Sequence, residues 1–73
     1  MNMKTIEIST ISDLGKAVRD DRNRRHMTQT EFASLCGVGQ DYISELENGK
    51  ATMEIGKVLS IVIALGFMIK LER

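Results

Sequence analysis

The 73-residue sequence has no Pro and no Trp, and only two Phe and one Tyr. So thin an aromatic content argues against an aromatic-rich ligand pocket. Its one cysteine, Cys36, cannot close an intrachain disulfide, which fits a reducing interior better than secretion. Cys36 and His26 are two of the four ligands a structural zinc site needs, so neither metal nor cofactor is expected. The longest apolar stretch, 58–69, is about 12 residues and is broken by Gly66, against the roughly 20 that span a bilayer. The opening, Met1-Asn2-Met3-Lys4-Thr5-Ile6-Glu7, lacks the apolar core of a signal peptide. These absences point to a cytoplasmic chain with no membrane partner. No nucleophile, metal set or phosphate-binding loop is present, and the chain is too short to enclose a site. Neither an enzyme nor a small-molecule binder is expected.

Net charge is also lacking: 10 Lys and Arg balance 10 Asp and Glu. What remains is ordinary globular composition, 42% hydrophobic and 27% charged, which argues against disorder. The chain, without repeats or linkers, reads as one domain over 1–73. Below about 80 residues a single core supplies only a few kcal/mol, so with no disulfide or metal a homodimer is expected.

Residues 4–8 alternate polar and apolar, with Ile6 and Ile8 on one face, and predict a short strand. Ser12 offers an N-cap and Asp13 suits a first turn, so helix 1 is expected over 13–25, with Leu14, Ala17 and Val18 inward. Thr28-Gln29-Thr30-Glu31 is a capping box, flanked by Met27 and Phe32 at the positions of a hydrophobic staple. Helix 2 is therefore expected over 29–36, stopping at Gly37. Helix 3 follows after three residues, over 40–48, with Val38, Ile43 and Leu46 inward and Asn48-Gly49 ending it. Two short helices joined by a glycine-bearing turn make a helix-turn-helix. Thr52 is expected to cap helix 4 over 53–65, with Ile55, Val58, Leu59 and Val62 facing the core. Residues 67–71 alternate again and predict a second strand. Strands at both ends and a last helix with apolar residues off its core stripe suggest an intersubunit surface. Its expected members are Ile6, Ile8, Ile61, Ile63, Phe67, Ile69 and Leu71.

From Thr28 to Lys50 the chain resembles the lambda-repressor-like (Xre-type) helix-turn-helix family. The matching residues are Thr28-Gln29, Phe32-Ala33, Gly37-Val38, Gln40 and Ile43-Ser44-Glu45-Leu46-Glu47-Asn48-Gly49-Lys50. The strand-like start, Glu54-Ile55-Gly56-Lys57-Val58-Leu59 and the terminal strand narrow the likeness to HipB-type antitoxins. These are short dimeric repressors that neutralise a HipA-like serine/threonine kinase toxin. The resemblance implies a mainly α, four-helix domain with short N- and C-terminal β-strands at a dimer interface. The toxin partner enters only through this likeness. Leu35, apolar where helix 2 usually meets solvent, is a candidate toxin contact.

The family places the N-terminal residues of helix 3 against base edges in the major groove. Carried over, these are Gln40, Asp41, Ser44 and Glu45. A Gln can pair with adenine N6 and N7, and a carboxylate can accept from cytosine N4. Asp41 could instead be a first-turn dipole partner, and Glu45 merely exposed. Gln29 resembles the family's phosphate anchor at a helix N-terminus. Thr28, Tyr42, Asn48 and Lys50 complete the expected backbone contacts, and helix 1 supplies Arg22, Arg24 and Arg25. Arg22 also matches the family's helix-1 arginine that pairs with a helix-3 glutamate, here Glu47, fastening the two helices.

One count opposes this reading. Residues 28–49 hold Glu31, Asp41, Glu45 and Glu47 but no Lys or Arg. A basic footprint is therefore absent where phosphate attraction normally supplies affinity. Two function classes follow: a dimeric repressor of its own operon, bound to double-stranded operator DNA, that also holds the toxin inactive, or an interaction module that binds only its partner. A plain Xre-type repressor without a toxin is a third form.

Overall fold

Two of the helices begin where a threonine side chain turns back onto the first free amides. The computed structural model describes residues 4–73; Met1, Asn2 and Met3, part of the opening read above against a signal peptide, lie outside it. Its four helices are α1 (Ile11–Arg24), α2 (Gln29–Cys36), α3 (Gln40–Glu47) and α4 (Ile55–Ala64). Helix α1 starts two residues earlier than its sequence suggests, because Thr10 and not Ser12 is the cap. Thr10 Oγ1 accepts from the Asp13 amide at 3.1 Å, and the Asp13 carboxylate accepts from the Thr10 and Ser9 amides. In α2 the Thr28 hydroxyl accepts from the Glu31 amide and Glu31 accepts from the Thr28 amide at 2.8 Å. Glu54, without a side-chain cap bond, precedes α4, so Thr52 lies in the preceding turn and the helix is shorter than 53–65.

All four helices end in one kind of reversal, with paired amide bonds back into the last turn. Its left-handed residue is glycine after α2, α3 and α4, but His26 after α1, at φ 57°.

The core comprises Val18, Phe32, Ala33, Ile43, Leu46, Val58, Ile61, Val62 and Leu65. This corrects the expected facing of α4. Ile55 and Leu59 are exposed, while Val58, Ile61, Val62 and Leu65 point inward. On so apolar a helix both sets satisfy i, i+3, i+4, i+7 spacing, and packing against α2 selects the second. Ile61 is therefore removed from the expected dimer surface: it has no exposed area left for a partner. Phe67 is part-buried against the core, whereas Ile6, Ile8, Ile63, Ile69 and Leu71 are exposed. Among the described residues no strand forms; 4–8 and 67–71 find no ladder partner within one chain.

Helices α1 and α3 touch backbone to backbone. A Cβ built on Gly15 would lie 2.0 Å from the Leu46 carbonyl oxygen, so only glycine fits the crossing. The two helices also make the most extensive contact of any pair. Alanine gains about 1 kcal/mol over glycine in a helix interior, but a collision with rigid backbone costs more. Gly15→Ala is expected to lower stability by about 2 kcal/mol or more, read as a reduced denaturant midpoint; a rise would remove this crossing as the fold's tightest contact.

Candidate nucleic-acid interface

Glu47 lies at the end of α3, beneath the helix-turn-helix, and its carboxylate is buried. A buried carboxylate is tolerable only when its oxygens are fully partnered. Arg22 of α1 supplies two bonds, Nε to Oε2 at 2.7 Å and Nη2 to Oε1 at 3.0 Å. Gln29 of α2 adds a third, Nε2 to Oε1 at 3.1 Å. Burial pulls the Glu47 pKa up, but the hydrogen bonds from Arg22 and Gln29 and the charges of Arg22 and Arg19 outweigh it and hold it below 4.5. The Arg22 guanidinium is correspondingly raised by its bond to Glu47, against a smaller desolvation effect. Its remaining Nη1 donates to the Met27 carbonyl at 3.0 Å, tying down the α1–α2 connection.

Gln29 passes this constraint on. Its Oε1 accepts from Gln40 Nε2 at 2.7 Å. Gln40 is exposed at the first position of α3, and with one amide hydrogen used it keeps a second hydrogen and a carbonyl oxygen outward. That leaves one donor and one acceptor, the pattern that adenine N7 and N6 require. Asp41 beside it is exposed, and Ser44 and Glu45, one turn on, are partly so.

The structure brings together Arg22, Gln29, Gln40 and Glu47, and separates others from the expected set. Tyr42, expected at a phosphate, donates its hydroxyl to the Glu54 carbonyl at 3.0 Å, and its ring packs on the core beneath the Lys57 ammonium. Its single O–H proton is thus engaged in bracing α3 against the approach to α4. Arg25 bonds to Asp21 and to the Leu65 carbonyl, and Arg24 lies 3.8 Å from Asp21. Lys50 pairs with Glu45. Asn48 is exposed at the C-cap of α3.

Arg19 is the residue that sequence reasoning missed. Its Nη2 donates to the Glu47 carbonyl at 2.9 Å and to Asn48 Oδ1 at 3.5 Å, placing a cation on the negative end of the α3 dipole. With Asn48 Oδ1 held this way, its amide hydrogens are the free part of the side chain. The available signal was spacing, because Gly15, Arg19 and Arg22 share one α1 face.

The acid count now reads differently. Glu47 is buried and neutralised, Glu45 is paired with Lys50, and Glu31 is turned back onto Thr28. Of the four acids in 28–49, only Asp41 has neither a cation nor an amide partner among the described residues.

Removing one partner of a buried pair leaves the other charged and stranded, so Arg22→Ala is expected to cost about 3–5 kcal/mol. Because the Glu47 pKa is lowered on folding, its contribution is complete above the ordinary value of 4.5 and is lost as pH falls through the folded value. Thermal melts of Glu47→Gln should therefore depend less steeply on acid pH than those of the parent chain; identical profiles would contradict the assignment.

The helix-turn-helix family matches residues 18–67. The uncharacterized HTH-type transcriptional regulator y4mF of Sinorhizobium fredii is 44% identical over 59 residues, spanning 81% of this chain and 78% of that protein. The ImmF control region 10 kDa protein of Bacillus phage phi105 is 40% identical over 37 residues, 51% of this chain and 41% of that protein. Among solved structures, a chain of the HipB–O4 20-mer complex superposes with a TM-score of 0.78 at 25% identity, covering 92% of this chain and 94% of that one. A chain of the HipA–HipB–O2–O3 complex gives the same values. The mainly α, four-helix fold is thus HipB-like, and the chain belongs to the Xre-type, lambda-repressor-like helix-turn-helix family.

Proposed function

We propose that this chain is a sequence-specific DNA-binding antitoxin that represses its own operon as a homodimer and holds a HipA-like serine/threonine kinase toxin inactive. The observation that carries the DNA half is the Arg22–Glu47–Gln29–Gln40 relay, which holds an exposed Gln40 amide in one orientation at the leading end of α3. In this reading Gln40, Asp41, Ser44 and Glu45 face base edges. Thr28, Gln29, Asn48 and Lys50 face phosphates, with the α2 N-terminus adding its partial positive charge. The HipB complexes support both partner kinds, since a HipB-like chain occurs there with 20-mer and with HipA.

The homodimer is supported by apolar area that one chain leaves uncovered: Ile55, Leu59 and Ile63 along α4, then Met68, Ile69 and Leu71. Ile55, Leu59 and Ile63 follow at i, i+4 and i+8 and so share one face of α4, and an exposed apolar face marks an interaction site. We assign residues 67–71, together with 4–8, to strands that acquire their ladder only in the dimer. Exposed Leu35 is offered to the toxin. The partner-only module keeps one point in its favour, the exposed carboxylate of Asp41, which repels phosphate.

A dimer places the two half-sites one helical turn, about 34 Å, apart. On a palindromic promoter fragment, Gln40→Ala should cost about 1–3 kcal/mol and relax selectivity at one base pair, whereas Lys50→Ala should weaken every sequence alike. Identical effects of the two variants on cognate and scrambled DNA would refute the base-reading assignment. In sedimentation, Leu71→Asp should run at monomer mass; an unchanged dimer would take the C-terminal segment out of the interface.

A further inference from the structure

Two arginines leave α1 one turn apart and go opposite ways. Arg22 turns to α3. Arg25 turns to the far end of α4: its Nε donates to Asp21 Oδ2 at 2.8 Å and its Nη2 to the Leu65 carbonyl at 3.1 Å. Asp21 and Glu47 are the buried charged residues of the described chain, and the DNA reading has no use for Asp21. The Leu65 carbonyl is one of those a helix end leaves without a helical partner, and a cation there also meets the negative end of the helix dipole. Immediately after it the chain reverses at Gly66, φ 90°, with the Gly66 amide donating to Ile63 at 3.0 Å and the Phe67 amide to Val62 at 3.3 Å. Phe67 then seats against the core. The point at which 68–71 leaves the body of the protein is thus held by Arg25, by the reversal and by Phe67.

We infer that Arg25, oriented by Asp21, is a positioning residue that sets the direction of the C-terminal segment relative to the recognition helix α3. The connection runs through α1, which grips α3 with Arg22 and α4 with Arg25. This rests on the proposed reading of a DNA-binding dimer joined through that segment. Each α3 can read its half-site without Arg25. Delivering the second α3 to the second half-site requires that the two bodies keep a fixed angle. A dimer whose junction swivels loses effective concentration at the second site while single-site affinity stays.

The test uses the full chain with Arg25→Gln, Asp21→Asn and Arg25→Lys. Dimer mass is followed by sedimentation, and affinity is measured on duplexes carrying one or two half-sites. Distances between spin labels at Ser34→Cys, in a Cys36→Ala background without DNA, report the angle independently. Joining two sites is worth 10²–10⁴ in affinity, so loss of a fixed angle should lower two-site affinity about tenfold while one-site affinity stays within about twofold. The label distances should broaden, and Arg25→Lys should recover part of both effects. If Arg25→Gln melts below the assay temperature, Asp21→Asn carries the same comparison. A one-site loss equal to the two-site loss, or an unchanged ratio with unchanged distances, overturns the role given to Arg25 and leaves the DNA reading standing. A parent chain that binds neither duplex overturns the DNA reading, and the label distances then decide the junction alone. A monomeric parent overturns both.

Discussion

A single buried carboxylate governs the arrangement of three helices. Glu47 can stay ionised beneath the surface only if every donor around it is in place, and those donors come from different elements: Arg22 from α1 and Gln29 from α2. Hydrophobic contact alone would tolerate sliding of α1 over α3, since burial is not directional. Two parallel bonds from a planar guanidinium are directional. They hold α1 in register against α3, at the place where Gly15 lets the backbones meet. Arg19 reinforces the same contact from the solvent side by taking up the Glu47 carbonyl.

The same carboxylate explains how an acid-rich segment can face an anionic partner. Charge on the sequence and charge at the surface differ here because folding disposes of acids selectively. Glu47 goes inward, Glu45 draws Lys50 onto itself, and Glu31 is spent on the start of α2. What the leading end of α3 then presents is the Gln40 amide, held by the bond to Gln29, beside the exposed Asp41 carboxylate. In the proposed function such a surface draws little on long-range attraction and much on fit and on having two copies, which is why the junction between copies matters.

Legibility followed sequence distance. The Thr28–Glu31 box and the Asn48-Gly49 stop are encoded within four residues and are plain in the sequence. The start of α1 was not, because Ser12 and Thr10 are both acceptable caps and only the position of Asp13, three residues after Thr10, completes the reciprocal box. The Arg22 and Glu47 pairing was readable through family likeness, whereas Arg25 read only as a cation facing phosphate and Arg19 carried no signal beyond its spacing from Gly15 and Arg22. Tyr42 likewise looked available on the exposed side of α3, and its bond to Glu54 depends on how the next loop returns.

The amino-acid order alone determined the four helices and the helix-turn-helix, because capping, glycine stops and helical periodicity act over a turn or less, whereas the alternation at 4–8 and 67–71 found no ladder partner within the described chain. The tertiary structure decided which face of α4 is core, since Ile55–Leu59 and Val58–Ile61–Val62–Leu65 are equally apolar and only the neighbours distinguish them. It also decided that Gly15 is indispensable and that Arg25 reaches a carbonyl 40 residues away. Such contacts depend on where separate helices cross, and no local pattern carries that information.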